Sequence, residues 1–423
     1  MLVEFKFENF RSFKNETYFT LEPSTQNGKN TNIIETNLKK IPQLYRTMGI
    51  FGANASGKSN FILALSLFKF LIKKSFKNEI NQNLPEEKYL LSNDNLEKPT
   101  SFEISFIYKG KLYKYGLKYS QKEILYESLV YANISENGSA RENKLFTRDK
   151  ETGIKAKGLP QAWIDELANN RVFLSEIINN RKCQIPEILD AYDYIVNKLH
   201  TAKNKTSLDF TLNMLQSNDK PLMLDYIKKV DLDFIDICIK KVPTEDILGK
   251  LKNEKDKNEF TEFMLKRILS GESEILDIRV LHKTEDGNIA ELDLDKESEG
   301  SKKFLSLAGP IVNALKTGST LFIDELDASL HPLFVKHIVS LFNDSKFNKN
   351  NAQLIFTSHA FYLMDGNTLT RDQIWLINKD NGCTSTVKSL KDFKEPRKNK
   401  SFYEAYISGQ YGAIPTFDTQ NNE

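Results

Sequence analysis

The chain has 423 residues, 40% of them hydrophobic, which is enough for two or three domains with substantial cores. Its 59 basic and 57 acidic side chains leave a net charge of +2, so nothing in the total marks a general polyanion-binding surface, and only a local basic patch stays open. Cys183, Cys238 and Cys383 lie far apart with no CxxC spacing, and the longest apolar stretch, Phe61 to Ile72, is short and interrupted by Lys69; the expectation is reduced, unpaired thiols in a cytoplasmic protein without a membrane span.

Met1 to Phe13 alternates apolar and polar residues, as a half-buried edge strand does, and Tyr18 to Leu21 repeats the pattern. Thr47 to Phe51 reads as a short buried strand, and Asn60 to Ile72 as a largely buried helix. Phe102 to Tyr108 and Lys111 to Leu117, joined by Lys109-Gly110, read as an antiparallel hairpin. Pro160 to Asn180 turns helical. From Pro186 to about Ser270 a Lys/Asp/Glu-rich region carries helical stripes such as Ile188, Leu189, Tyr192, Ile195 and Leu199, which predicts a helical insertion over 181–274. Strand character returns at Ile275 to Leu281 and Ile289 to Leu294. A helix over Gly300 to Leu315 then leads to a very apolar strand, Thr320 to Ile323. Another helix, Pro332 to Phe342, precedes strands at Gln353 to Thr357 and Ile374 to Ile377. Continuous apolar strands alternating with helices predict an α/β fold whose sheet is buried on both faces, with residues 1–180 and 275–423 forming one domain around the insertion. No internal repeat is present, and the loosely polar tail is Asp418 to Glu423.

Between the strand Thr47 to Phe51 and the helix that follows lies Gly52-Ala53-Asn54-Ala55-Ser56-Gly57-Lys58-Ser59, a complete match to GxxxxGK[ST]. Strand, loop and helix are the context in which that pattern has mechanical meaning. Gly52 and Gly57 let backbone N–H groups close on phosphate oxygens, Lys58 reaches the β- and γ-phosphates, and Ser59 offers its hydroxyl to Mg²⁺. The helix N-terminus adds its partial positive charge at the same place. Downstream, Leu321-Phe322-Ile323 runs into Asp324-Glu325, which supplies a metal-associated carboxylate, Asp324, and a candidate general base, Glu325. Ser298-Glu299-Gly300 opens the helix before that strand; it suits anion binding, though taken in isolation a Ser-x-Gly helix start reads first as an ordinary cap. Thr357-Ser358-His359 ends the next strand and brings His359 as a nucleotide-sensing candidate. The histidines His200, His282, His331, His337 and His359 are scattered, which argues against a separate metal centre.

These segments, with Phe7-Glu8-Asn9-Phe10-Arg11-Ser12-Phe13, Glu297 to Lys303, Ile323 to Pro332, Gln353 to His359, Arg371 to Trp375 and Tyr406 to Pro415, carry a resemblance. The chain resembles the ABC-like ATPases of the SMC, RecF and OLD group, most closely the RloA-type AAA-domain proteins of bacterial restriction-linked and abortive-infection operons. The resemblance implies an ABC-type P-loop ATPase head with mixed sheets that binds and hydrolyses ATP with Mg²⁺. It places Arg11 and Ser12 beside the nucleotide, lines the loop with Asn54, Ser56 and Asn60, and makes Asp327 to His331 the segment that crosses a dimer interface. Ser298 and Gly300 would face the nucleotide held by a second copy, so that a homodimer closes over two ATP. Two departures stand out: Glu299 where transporters have glycine, and His331 where they have a closing aspartate. The glutamine that touches Mg²⁺ in such ATPases is not assigned; Gln121 sits in an expected turn.

The resemblance further implies a defence ATPase that senses phage infection and controls a separately encoded toxic effector, often a nuclease. A rival reading is a RecF- or SMC-type ATPase acting directly on DNA, for which Lys203-Asn204-Lys205 and Lys250 to Lys257 are the basic segments; the longer is mixed with acids, and a solvated helix face is the better account of both. No long heptad run supports an SMC arm. A transporter ATPase is disfavoured by the N-terminal Phe-Arg-Ser-Phe segment and the late motifs.

Overall fold

The computed structural model describes residues 1–24, 32–134, 140–202, 204–228, 234–243, 274–380, 383–394 and 401–414. Its strands in chain order are β1 Leu2–Glu8, β2 Thr17–Thr20, β3 Ile33–Glu35, β4 Gln43–Tyr45, β5 Thr47–Phe51, β6 Thr100–Tyr108, β7 Lys111–Tyr119, β8 Ile124–Ile134 and β9 Ala140–Asp149. They continue with β10 Gly153–Ala156, β11 Leu199–Ala202, β12 Asp236–Pro243, β13 Glu274–Lys283, β14 Ile289–Asp293, β15 Thr320–Ile323, β16 Gln353–Thr357, β17 Ile374–Lys379 and β18 Ser385–Ser389. The chain divides into two compact units: Met1–Thr201 with Ala314–Asp327 and Val335–Glu423, and Ala202–Asn313 with Ala328–Phe334.

The first unit is built on two large sheets. One has seven strands in the order β10-β9-β8-β7-β6-β1-β2, and its described pairings are antiparallel. The other has six, in the order β11-β15-β16-β5-β17-β18, with β15, β16, β5 and β17 paired in parallel. Its strands β5, β15 and β16 are buried at every residue, because helices and the other sheet cover both faces of a parallel sheet. The N-terminal strand corrects one expectation: β1 lies between β6 and β2, so it is interior and β2 forms the edge.

The helix Lys58–Lys74 buries Phe61, Ile62, Ala64, Leu65, Phe68, Leu71 and Ile72. Phe61 meets the rings of Phe19, Phe7 and Phe5 at 5.2, 5.6 and 6.3 Å, and Phe19 in turn lies 4.9 Å from Trp375 of β17. One apolar cluster therefore runs from the antiparallel sheet through this helix to Phe322, Ile355, Trp375 and Ile377 of the parallel sheet. Truncating so enclosed a phenylalanine to alanine costs about 3–5 kcal/mol, which fixes the helix, and the loop before it, to both sheets. Lys69, the charged interruption in this helix, donates its ammonium to the Leu199 carbonyl. The sheets are also joined by a side chain that imitates a peptide group. Gln353, fully buried on β16, accepts the Leu2 amide at 2.6 Å and donates to the Leu2 carbonyl at 3.0 Å.

In the second unit the described residues form the helices Asn204–Leu215 and Lys220–Lys228, most of the helix Glu299–Thr317, and an antiparallel sheet in the order β12-β13-β14. Pro310 lies inside the Glu299–Thr317 helix and removes one ladder donor. Next to it, the Gly309 amide donates to Thr211 Oγ1 at 3.0 Å, and a Cβ at Gly309 would come within 2.6 Å of Thr211 Cα. β12 is a strand where helical periodicity predicts helix, paired along eight residues from Asp236 opposite Leu281 to Pro243 opposite Glu274. Residues 244–273, which complete the expected insertion and include Lys250 to Lys257, lie outside the described residues, as do Lys203, Pro415 and the Asp418 to Glu423 tail. No helix among the described residues is long and apolar enough to cross a membrane.

Candidate functional site

Three neighbouring strands of the parallel sheet, β15, β16 and β5, end level with one another: Ile323 lies beside Phe356, and Thr357 beside Ile50. A parallel sheet delivers every loop that follows its strands to one edge, where open α/β sheets bind ligands. From that edge emerge the Gly52 to Ser59 loop after β5, Asp324-Glu325 after β15, and Ser358-His359 after β16.

Gly57 closes the loop as the residue preceding the helix, with φ of 115°. A Cβ there would stand 2.6 Å from Ser385 Oγ and 2.9 Å from Ser12 Oγ, so both backbone geometry and space demand glycine. Lys58 is buried and donates its ammonium to the carbonyls of Gly52 and Ala53, each at 2.9 Å. Burial lowers its pKa, opposed by the charges of Glu325, Asp324 and Asp327, which places all three carboxylates within electrostatic reach of the lysine. Ser56 Oγ is buried without a hydrogen-bond partner among the described residues. Asn54 and Ala55 are exposed at the loop's tip, Ser59 and Asn60 half-buried at the start of the helix.

Arg11 and Ser12 sit against this loop from the N-terminal segment. Asn60 donates to Ser12 Oγ at 2.9 Å, and Arg11 donates to Asn60 Oδ1 at 3.2 Å and, through Nε, to the Glu87 carboxylate. Arg11 has φ of 47°, a left-handed conformation costly for any residue with a Cβ, and its amide is fastened to the Glu87 carbonyl at 2.7 Å.

The acid pair is organised by one hydroxyl. Thr357 Oγ1 donates to Asp324 Oδ1 at 2.6 Å and accepts the Glu325 amide at 2.8 Å. Glu325 has φ of 51°, and the Thr357 contact together with the Leu326 amide on the Thr357 carbonyl at 3.0 Å holds that strained turn in place. Asp327 accepts the His359 amide on both carboxylate oxygens, at 3.1 and 3.2 Å. Burial, and then the Lys58 charge, push the His359 pKa below its ordinary value while Asp327, Glu325 and Asp324 pull the other way. The imidazole is therefore neutral near pH 7, a form that both donates and accepts a hydrogen bond.

In the second unit, Ser298 caps the helix Glu299–Thr317: its Oγ accepts the Ser301 amide at 3.1 Å and lies 2.9 Å from Ser301 Oγ. Gly300 is close to the Ser329 carbonyl, which a Cβ would approach to 2.9 Å. Glu299, largely exposed, pairs with Lys302 at 2.9 Å. His331 turns its Nδ1 to the Leu333 amide at 3.3 Å.

The sequence-predicted residues Arg11, Ser12, Gly52, Ser56, Gly57, Lys58, Asn60, Asp324, Glu325 and His359 are thus gathered within the first unit. Ser298 and Gly300 belong to the second unit and have a local capping and packing role of their own. Gln121 is exposed in the turn before β8, where its carbonyl accepts the Leu84 amide at 2.7 Å. Residues that the sequence left unremarked are Thr357, Asp327 as a partner of His359, Glu87 and Ser385. A nucleoside triphosphate and Mg²⁺ fit this donor set: a glycine cradle beside an orphaned buried hydroxyl, a buried ammonium, and hard oxygen donors in Ser59 and Asp324.

Among solved structures, an SMC head bound to the C-winged helix domain of ScpA is similar at 14% identity, covering 92% of this chain and 98% of that one with a TM-score of 0.36. cbiO1 from Clostridium perfringens, part of the ABC transporter complex cbiONQ, is similar at 12% identity, covering 92% and 89% with a TM-score of 0.29. Comparison with curated proteins gave no match. The family model described as "AAA domain, putative AbiEii toxin, Type IV TA system" matches residues 48–365, well over half of the chain and a span that takes in the glycine loop, the acid pair and His359. The chain belongs to this family of P-loop AAA domains.

Proposed function

We propose that the protein is an ATP-hydrolysing, ABC-like ATPase that dimerises on ATP and thereby controls a separately encoded toxic effector in response to phage infection. The observation that carries the ATPase reading is the convergence of Lys58, Asp324, Glu325, Asp327 and His359 at the ends of adjacent parallel strands. In this reading Lys58 leaves the Gly52 and Ala53 carbonyls to meet the β- and γ-phosphates, and the loop amides and the helix N-terminus hold the rest of the phosphate chain. Ser59 and the Asp324 oxygen not engaged by Thr357 hold Mg²⁺, which when bound offsets the charge of the phosphates. Glu325 accepts a proton from the attacking water, and neutral His359 donates to the γ-phosphate. Arg11, Ser12, Asn54, Ser56 and Asn60 line the nucleotide. Ser298 and Gly300 complete the site of a second copy, which makes the assembly a symmetric dimer with two shared sites.

The effector half of the reading is supported by the family's link to abortive-infection toxins and type IV toxin–antitoxin systems, together with the resemblance to RloA-type proteins. The expected partner is a nuclease or other toxin encoded beside this chain.

The test is Glu325→Gln. The variant binds ATP, turns it over at least a hundredfold more slowly, and runs as a dimer with ATP–Mg²⁺ in light scattering; full turnover from a monomer sinks the mechanism. Copurification of the neighbouring gene product, with its toxicity altered by Lys58→Ala, tests the effector half. Turnover stimulated by duplex DNA and abolished by added salt would instead favour direct action on DNA.

A further inference from the structure

Ser385, the first residue of β18, follows Ser56 in the chain by more than 300 residues, yet it is built into the floor of the phosphate loop. It is 3% exposed. Its Oγ donates to the Ser56 carbonyl at 2.6 Å and its amide donates to the Ser12 carbonyl at 2.7 Å. Ser12 in turn holds Asn60, in the first turn of the helix Lys58–Lys74, at 2.9 Å. Ser385 lies opposite Lys379 in the β17–β18 ladder, and β17 pairs with β5, so the hydroxyl rides on the same sheet that presents the loop.

We propose that Ser385 is a positioning residue of the phosphate loop, whose hydroxyl fixes the Ser56 carbonyl and thereby aims the Gly57 N–H at the phosphate chain of a nucleoside triphosphate. The reason is the planarity of the peptide unit. In a trans peptide C=O and N–H point in opposite directions, so anchoring the Ser56 oxygen on one side sends the Gly57 N–H to the other. Gly57, at φ of 115°, belongs to the residue type with the freest backbone, and the peptide before it would otherwise rotate at little cost. The close approach of Ser385 Oγ to the place of a Gly57 Cβ shows how directly the two residues abut. An anion cradle of N–H groups binds well only when those groups are held in place before the anion arrives. Ser385 itself touches no phosphate; it acts through the loop.

The inference rests on the ATP reading of the loop, and the experiment separates the two. Affinity for ATP and ADP is measured by calorimetry, and KM and kcat by phosphate release, for Ser385→Ala, the near-isosteric but weakly donating Ser385→Cys, and the hydroxyl-retaining Ser385→Thr. Ser389→Ala, which removes another buried hydroxyl at the opposite end of β18, is the control. The expected result is a three- to tenfold loss of affinity and rise in KM for the Ala and Cys variants, the worth of one buried hydrogen bond. kcat stays within twofold, because ground state and transition state lose the same contact. The Thr variant holds wild-type affinity, and Ser389→Ala lowers the melting temperature without moving KM. Ala and Cys variants that bind ATP as wild type does, or a Ser389→Ala that matches their loss, overturn the role of Ser385 and leave the ATP reading standing. A wild-type protein that binds neither nucleotide overturns both.

Discussion

Replacing Thr357 with valine removes one hydroxyl and keeps the shape of the side chain, in a residue with no exposed surface. Two hydrogen bonds go with it: the 2.6 Å bond to the Asp324 carboxylate, charge-assisted and worth about 1.5–3 kcal/mol, and the 2.8 Å bond from the Glu325 amide, worth about 0.5–1.5 kcal/mol. The Glu325 turn, with φ of 51°, loses one of the two contacts that hold it and keeps the Leu326 amide on the Thr357 carbonyl. The expected destabilisation is about 2–4 kcal/mol, read as a shift of roughly 1 M in the urea midpoint. On the proposed reading, in which Asp324 would hold Mg²⁺, turnover falls about tenfold or more because that carboxylate loses the partner that orients it, whereas Thr357→Ser restores both properties. A Thr357→Val protein less than about 1 kcal/mol weaker, with turnover within twofold of wild type, would refute the claim that this hydroxyl sets the acid pair.

Gly300→Ala pits helix propensity against space. Alanine favours a helix by about 1 kcal/mol, but a Cβ would stand 2.9 Å from the Ser329 carbonyl oxygen. A net loss of about 1–2 kcal/mol in nucleotide-free protein is expected on thermal unfolding, and a gain in stability would show that the close approach is not binding. Glu87→Gln breaks a pair whose side chains are 38% and 40% exposed, so stability changes by less than about 1 kcal/mol; a loss above about 2 kcal/mol in urea would mean that Arg11 is held chiefly by charge. His200 has its pKa lowered to about 4 by burial, with Lys69 and Lys198 adding to the effect. Above pH 6.5 both folded and unfolded states carry it neutral. As pH falls from about 6.5 to about 4 only the unfolded state takes up the proton, so stability is lost across that window and the loss levels off below it, about 3 kcal/mol in all. His200→Phe should flatten that part of the stability–pH curve, and an unchanged slope would place the titration elsewhere.

The parts of the site legible in the sequence are those whose chemistry is continuous along the chain. Gly52 to Ser59 follows a strand and opens a helix, and Asp324-Glu325 follows Leu321 to Ile323, so a single window holds both motif and context. Thr357, Ser385 and Glu87 act across gaps. Thr357 faces Asp324 because β15 and β16 are parallel neighbours, and Ser385 meets Ser56 because β18 pairs with β17 and β17 with β5, relations that no local pattern records. A serine or threonine in a strand looks the same whether it braces a loop or fills a ladder. β12 was obscured for another reason. Ile235, Ile237 and Ile239 alternate as a strand does, but the surrounding Lys, Asp and Glu pattern fits a helix over a longer window. Ser298 carries one role that the structure shows, the cap within the unit, while its proposed role toward a second copy rests on resemblance alone.

The pairing of β5 has a consequence for synthesis. Its two neighbours in the sheet, β16 and β17, begin at Gln353 and Ile374, some 300 residues after Thr47. At about 5–20 residues per second, a nascent chain carries this wholly buried strand without either ladder for roughly 15–60 seconds. Closing such long loops makes the parallel sheet a late event in folding. The glycine loop is translated early but gains its floor only when β18 emerges, so an incomplete chain that stops short of Ser385 has the loop's sequence and not its geometry. On the proposed reading, the chain is thereby competent to engage nucleotide only after β18, more than 300 residues beyond the glycine loop, has been made.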